Sequence, residues 1–141
     1  MLYVVNITVP ANTPRDKPIE KEIEIKEPIL KRISCFFPPG VCCLAGFRVL
    51  YGTEQIFPQP KDEYVVGHSE TVVGEVYFQL PEVPCKLRIQ AFNEDTKYPH
   101  TLYIRLETTE QLELAAVREL REIKQLLQQY LEALIGPPVI A

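Results

Sequence analysis

The chain has no tryptophan, one methionine and two histidines, and its serines are Ser34 and Ser69 alone. That set excludes most familiar catalytic constellations. A catalytic histidine needs a nucleophile or carboxylate beside it, and no G-x-S-x-G or comparable signature surrounds either serine. His68 and His100 read as turn and strand-edge residues. No catalytic residue, metal ligand or cofactor site is assigned, and the chain is read as a non-enzyme. Excess positive charge is missing too. Fifteen basic residues are scattered among nineteen acids, giving a net charge of −4 and a pI near 5.3. Phosphate recognition needs clustered Lys and Arg, so no nucleic-acid partner is expected. No apolar run approaches the ~18 residues that span a bilayer, which argues against a membrane partner. MLYVVNITVP has no basic n-region and too short an h-region for a signal peptide. It reads as a strand, and synthesis in the cytosol is the expectation.

The four cysteines, Cys35, Cys42, Cys43 and Cys85, lack a C-x-x-C spacing, and a vicinal pair suits tetrahedral zinc poorly. All four lie in or next to apolar segments, where a free thiol behaves as a small hydrophobe. Core thiols are expected, with a Cys35–Cys85 disulfide as the alternative. Asn93, Glu94 and Asp95 gather acceptor oxygens as a calcium loop does, but such trios are more often turn chemistry. Glu20, Glu22 and Glu24 fall two apart, as on one solvated strand face.

Thirteen prolines punctuate the chain about every ten residues, the pattern of many short strands. Proline-rich loops lower unfolded-state entropy and fit a thermophilic source. Strands are expected at Leu2–Val9, Ile19–Ile25, Ile29–Phe37, Val41–Tyr51, Glu54–Phe57, Tyr64–Val66, Thr71–Leu80, Cys85–Phe92 and His100–Leu106. The alternation is clear in IEKEIEI and CKLRIQAF, with every second residue apolar. VCCLAGFRVLY is apolar almost throughout and reads as central, with Gly46 as a candidate bulge. No helical period separates the strands, so a parallel βαβ sheet is excluded. The fold class is mainly β: an antiparallel jelly-roll-like β-sandwich over residues 1–107, then a C-terminal helix over 108–136 and a tail over 137–141, with an immunoglobulin-like sandwich as the alternative topology.

Thr108 stands as an N-cap with Gln111 three residues on, as in a capping box. Glu110 and Glu113 suit the positive end of the helix dipole, and Gly136, Pro137 and Pro138 stop the helix. Its length is roughly 40 Å at the standard rise, more than one sandwich face needs. Ala116, Leu120, Ile123, Leu127, Tyr130 and Leu134 recur at alternating spacings of four and three, a heptad seam, flanked by Leu126 and Leu131. Arg118, Glu119, Arg121, Glu122 and Gln125 lie on or near the other side. The stripe is the expected interface with copies of the chain or with another protein. Packing back onto the sandwich is the alternative. Tyr51, Phe57, Tyr64, Tyr77 and Tyr98 fall near strand ends, either as core and rim packing or as a glycan platform.

ITVPANTP (Ile7 to Pro14), IEIKEPILKRISCFFPPG, YGTEQIFP (Tyr51 to Pro58) and AFNEDTKYPHTLYIRL together give the chain a resemblance. Over roughly residues 7–106 it resembles small, uncharacterised β-sandwich structural proteins encoded by tailed viruses of bacteria and archaea and by related proviruses. The resemblance implies a virion component: a capsid decoration or turret subunit, or a tail or attachment part. Its partners would be its own copies and capsid or tail proteins, and its location the virion. The rival reading is a carbohydrate-binding or host-attachment jelly-roll module.

Overall fold

The computed structural model describes residues 1–110 and 115–135, the latter with side chains from residue 119 onward. Nine strands precede one helix among the described residues: β1 (Leu2–Val9), β2 (Ile19–Ile25), β3 (Ile29–Phe37), β4 (Ala45–Tyr51), β5 (Glu54–Phe57), β6 (Val65–Val66), β7 (Glu70–Gln79), β8 (Cys85–Asn93), β9 (His100–Thr109) and α1 (Ala115–Ile135). They form two antiparallel sheets, one ordered β1-β9-β3-β7 and the other β2-β8-β4-β5, with β6 also paired to β4. The result is mainly β and sandwich-like. Period-two patterning dictates this arrangement: along β1, Val5, Ile7 and Val9 are buried while Val4, Asn6 and Thr8 are exposed. Along β8, Cys85, Leu87, Ile89 and Ala91 turn inward, as their alternation predicts.

The core is a single apolar cluster to which both sheets contribute, including Ile33, Cys35 and Phe37 of β3 and Phe47 and Val49 of β4, with Leu102, Ile104 and Leu106 of β9. A chain of rings links it, Phe37 to Phe47 at 6.4 Å and Phe47 to Phe57 at 6.2 Å between centroids. Glycine permits two close approaches. A Cβ on Gly46 would collide with the Val65 carbonyl oxygen, and one on Gly74 with the Phe57 ring. Gly46 keeps a regular register with Val66 and Phe92. Its role is therefore to admit β6, not to form the bulge expected there.

Three departures from simple strand or helix patterning have identifiable reasons. Strict alternation in β3 breaks at a register shift between Leu30 and Arg32, so Ile29 and Leu30 are both buried. A bulge of this kind sets two residues against one and reorients the next side chains along the strand. The strand expected from Val41 starts only at Ala45, because Gly40, Cys42 and Cys43 have φ of 95°, 50° and 60°, which is turn and not strand geometry. Thr108 lies inside β9 and does not cap the helix. Its N–H donates to the Met1 carbonyl at 2.8 Å, and its own carbonyl accepts from the Met1 ammonium at 2.7 Å. The sandwich unit accordingly runs to Glu110, a few residues past the boundary read from sequence.

The helix belongs to a separate compact unit. Among the described residues, no helix is long and apolar enough to cross a membrane. Gln111, Glu113, Gly136, Pro137 and Pro138, which carried the expected helix ends, lie outside the described residues, as do the side chains of Ala116 and Arg118.

Candidate functional site

The helix carries the most conspicuous chemistry. A four-residue step from residue 116 to 120 and then a three-residue step to 123 fix the heptad register. Leu120, Leu127 and Leu134 occupy position a; Ile123 and Tyr130, with Ala116, occupy d. Leu126 falls at g and Leu131 at e. All these described side chains, with Ile135, are between 52% and 81% exposed. Burying a leucine or isoleucine stabilises by about 1.5–3 kcal/mol, so the uncovered stripe holds a large unused driving force. Arg121, Glu122, Gln125, Gln128, Gln129 and Glu132 occupy the b, c and f positions and complete an amphipathic helix.

The loops of the sandwich contain polar clusters whose groups bind one another. Asn93 is fully buried. Its Nδ2 donates to the Val9 carbonyl at 3.1 Å and the Tyr98 carbonyl at 3.0 Å, while its Oδ1 accepts from the Asp95 N–H at 3.0 Å. Asp95 Oδ1 accepts from the Lys97 and Tyr98 amides, and its Oδ2 lies 2.8 Å from His100 Nε2. The Lys97 amide first, then the His100 ring, hold the Asp95 carboxyl below its usual range. This is the turn chemistry expected of Asn93–Asp95, and it places His100 at the strand edge where the sequence put it. Thr13 bridges to Asn93 through two backbone hydrogen bonds of 2.8 and 2.9 Å, tying the arm between β1 and β2 to the same turn.

A second clamp centres on buried Gln55. Its Nε2 donates to the Pro58 and Glu63 carbonyls, and its Oε1 accepts from the Asp62 N–H. One side chain thus organises the whole β5–β6 loop. In a third, the Tyr3 hydroxyl donates at 2.6 Å to Glu27, which is buried. Among the described residues, no buried side-chain nitrogen or oxygen lacks a partner. The sequence reading missed Gln55 entirely, since a glutamine in a short strand carries no signal of the loop it will close.

The cysteines divide in two. Cys35 and Cys85 are buried free thiols, whereas Cys42 and Cys43 are exposed, contrary to the expectation that all four sit in the core. Burial pushes the Cys35 thiol up to about 12 and also raises that of Cys85, so neither is nucleophilic. The turn containing Cys42 and Cys43 is held by the Cys42 N–H donating to His68 Nδ1 at 3.1 Å. The acids Glu20, Glu22 and Glu24 are exposed on β2, as their spacing predicts.

The aromatic residues named from sequence do not gather into a platform. Tyr51 donates to Glu82, and Phe57 covers Gly74. Tyr64 meets Phe92 edge-on at 4.8 Å and lies under the Arg48 guanidinium at 4.6 Å. Only Tyr77 and Tyr98 remain exposed. The pair that does share an outer face is Phe36 with Tyr103, directly opposite each other on β3 and β9. Their rings are 6.2 Å apart and tilted by 42°. With Pro38, Thr71 and Arg105 they line a hollow of about 390 Å³. The signal for this pair was parity: each aromatic occupies an outward position between inward-facing neighbours.

With this geometry in place, comparison with protein-family models, curated protein sequences and solved structures returned no match to the chain.

Proposed function

We propose that this is a non-enzymatic structural protein that assembles through its C-terminal helix. The observation that carries the reading is the exposed a/d stripe of Leu120, Ile123, Leu127, Tyr130 and Leu134. Heptad spacing is the pattern by which one helix packs knobs into the holes of another, which favours helices of other copies as the partner. Leucine at a with isoleucine at d, as at Leu120 and Ile123, shifts preference toward three or four strands. Leu126 and Leu131 at g and e widen the apolar arc in the same direction, since a two-stranded seam leaves those positions at its rim. Each bundle then joins three or four copies of the chain.

The body itself suits a jelly-roll description. With the two-residue β6 set aside, the remaining eight strands fall into the two sheets in the orders 1-8-3-6 and 2-7-4-5. Capsid and lectin domains use that double-sheet architecture, although fold alone does not assign function. Together with the resemblance to viral β-sandwich proteins, this supports a virion part: a decoration, turret or tail component that docks on capsid or tail proteins. Repetition on a shell gives each modest contact the avidity of many.

Light scattering coupled to size exclusion tests the reading. The full chain is expected to elute as a trimer or tetramer of its 16.2 kDa protomer, and the double variant Leu120→Glu, Leu127→Glu as a folded monomer. A wild-type chain that stays monomeric at high concentration overturns it.

A further inference from the structure

Outside the helix, the hollow lined by Phe36 and Tyr103 stands apart by its charge. The sandwich holds five arginines, Arg15, Arg32, Arg48, Arg88 and Arg105. Four have carboxylate partners: Arg15 with Glu94, Arg32 with Glu75 and Glu107, Arg48 with Asp62, and Arg88 with Glu20. Arg105 has none among the described residues, and no acidic residue lines its hollow. Its strand neighbours offer nothing either, since it faces Val4 on β1 and Ser34 on β3. A guanidinium is a planar fork that fits a carboxylate with two parallel hydrogen bonds. Here that fork stands without a carboxylate partner among the described residues, beside two rings that are each 37% exposed.

We infer that this face binds an acidic saccharide, a pyranose ring bearing a carboxylate. The apolar C–H face of the sugar lies on Phe36 and Tyr103, the carboxylate takes the Arg105 fork, and the Thr71 hydroxyl, opposite Phe36 on β7, reaches a ring hydroxyl. The hollow lies near the lower end of the ~300–1,000 Å³ range of small-ligand sites, enough for one or two sugar rings. A cross-strand aromatic pair stabilises a sheet by itself, but that role needs no unpaired arginine beside it. An anchoring peptide side chain would call for an enclosed apolar pocket, whereas this hollow is open and lined by the two tilted rings on one side. The site is independent of the helix and stands whether or not the chain assembles.

Saturation-transfer NMR on the full chain tests the assignment with sialyllactose, a hexuronate disaccharide and lactose as probes. The two acidic probes are expected to receive saturation and lactose not, and whichever acidic probe binds tighter identifies the sugar class. Arg105→Ala is expected to weaken binding by roughly tenfold or more, the loss of one charge-assisted contact. Phe36→Ala is expected to abolish it, and Tyr98→Ala, an exposed ring elsewhere, to leave it unchanged. Circular dichroism checks each fold, and Arg105→Lys, which keeps the charge and loses the fork, replaces Arg105→Ala should that variant unfold. The assignment is overturned if neither acidic sugar binds, if lactose binds equally, if both Arg105 variants bind like wild type, or if an acidic peptide binds more tightly than either sugar.

Discussion

Leu87 and Leu127 are the same residue in opposite circumstances. Leu87 sits in β8 with no exposed surface, and Leu127 sits on α1 with 57% of its surface exposed. The sandwich hides most of its leucines, Leu30, Leu87, Leu102 and Leu106 completely, whereas the described part of the helix lays its own out in a row. A row of this kind is stable only with a partner, because isolated helices of this length owe their stability chiefly to tertiary packing of the apolar face. The difference separates two uses of hydrophobicity within one chain: in the sandwich it maintains the fold, and on the helix, under the assembly proposed above, it selects a companion.

The sharpest test is therefore the pair of truncations. Leu87→Ala is expected to destabilise the sandwich by about 2–5 kcal/mol, through lost burial plus a residual cavity. Leu127→Ala is expected to leave sandwich unfolding unchanged and to weaken assembly. Denaturant unfolding should be followed at low chain concentration, where mass action from assembly does not add to apparent stability. Equal losses for the two variants would erase the contrast and show that Leu127 belongs to a core. Next in size come the glycines. Gly46→Ala forces a methyl against the Val65 carbonyl, which belongs to the backbone, and Gly74→Ala forces one against the Phe57 ring. Overpacking of this kind costs about 1–3 kcal/mol, and Gly46→Ala should fall at the upper end because a ring can shift more readily than backbone.

The polar clamp of the β8–β9 turn extends the contrast to a third environment. Asn93→Ala removes the donor to the Val9 and Tyr98 carbonyls and the acceptor for the Asp95 N–H. Leaving a buried polar group unsatisfied costs about 1–3 kcal/mol, and thermal unfolding should register a loss of that order. Asp95 adds a pH dependence. Its folded carboxyl titrates below the ordinary 3.8, so its contribution is complete above that value and is lost as pH falls through the lower, folded one. Asp95→Asn should flatten this acid limb without changing the slope of stability near neutrality.

Much of this architecture is legible in the sequence. Strand patterning and its proline punctuation located seven of the nine strands to within a residue or two; the exceptions are the longer C-terminal extension of β9 and the late start of β4. Those two exceptions have local causes. Cys42 and Cys43 look like strand interior by hydropathy, yet positive φ at both makes them turn. Thr108 and Thr109 carry both β propensity and capping chemistry, and the backbone pairing of Thr108 with Met1, 107 residues away, decides between them. No local pattern can report so distant a partner. The heptad stripe was legible because its spacing is a property of one segment. The Arg105 hollow was not, because it is assembled from β3, β7 and β9, and what distinguishes that arginine is the absence of a carboxylate contributed by any other strand.

The smallest expected effect is on stability, and it is the most discriminating for the thiols. Hydropathy treats the four cysteines alike, but the structure divides them into buried Cys35 and Cys85 and exposed Cys42 and Cys43. A thiol reacts as its thiolate, and Cys35 is held up to about 12 by burial, so near pH 7 it has almost no reactive form even for a reagent that reaches it. Iodoacetamide on the native chain is therefore expected to alkylate Cys42 and Cys43 and to spare Cys35 and Cys85 until denaturant is added, with peptide mass mapping as the readout. Because the exposed pair lies in a turn and not among packed side chains, Cys42→Ser with Cys43→Ser should change the unfolding free energy by no more than about 0.5 kcal/mol. Rapid native labelling of Cys85 would instead mean that the strand between β2 and β4 opens locally, and that the sandwich is less uniformly closed than its buried core implies.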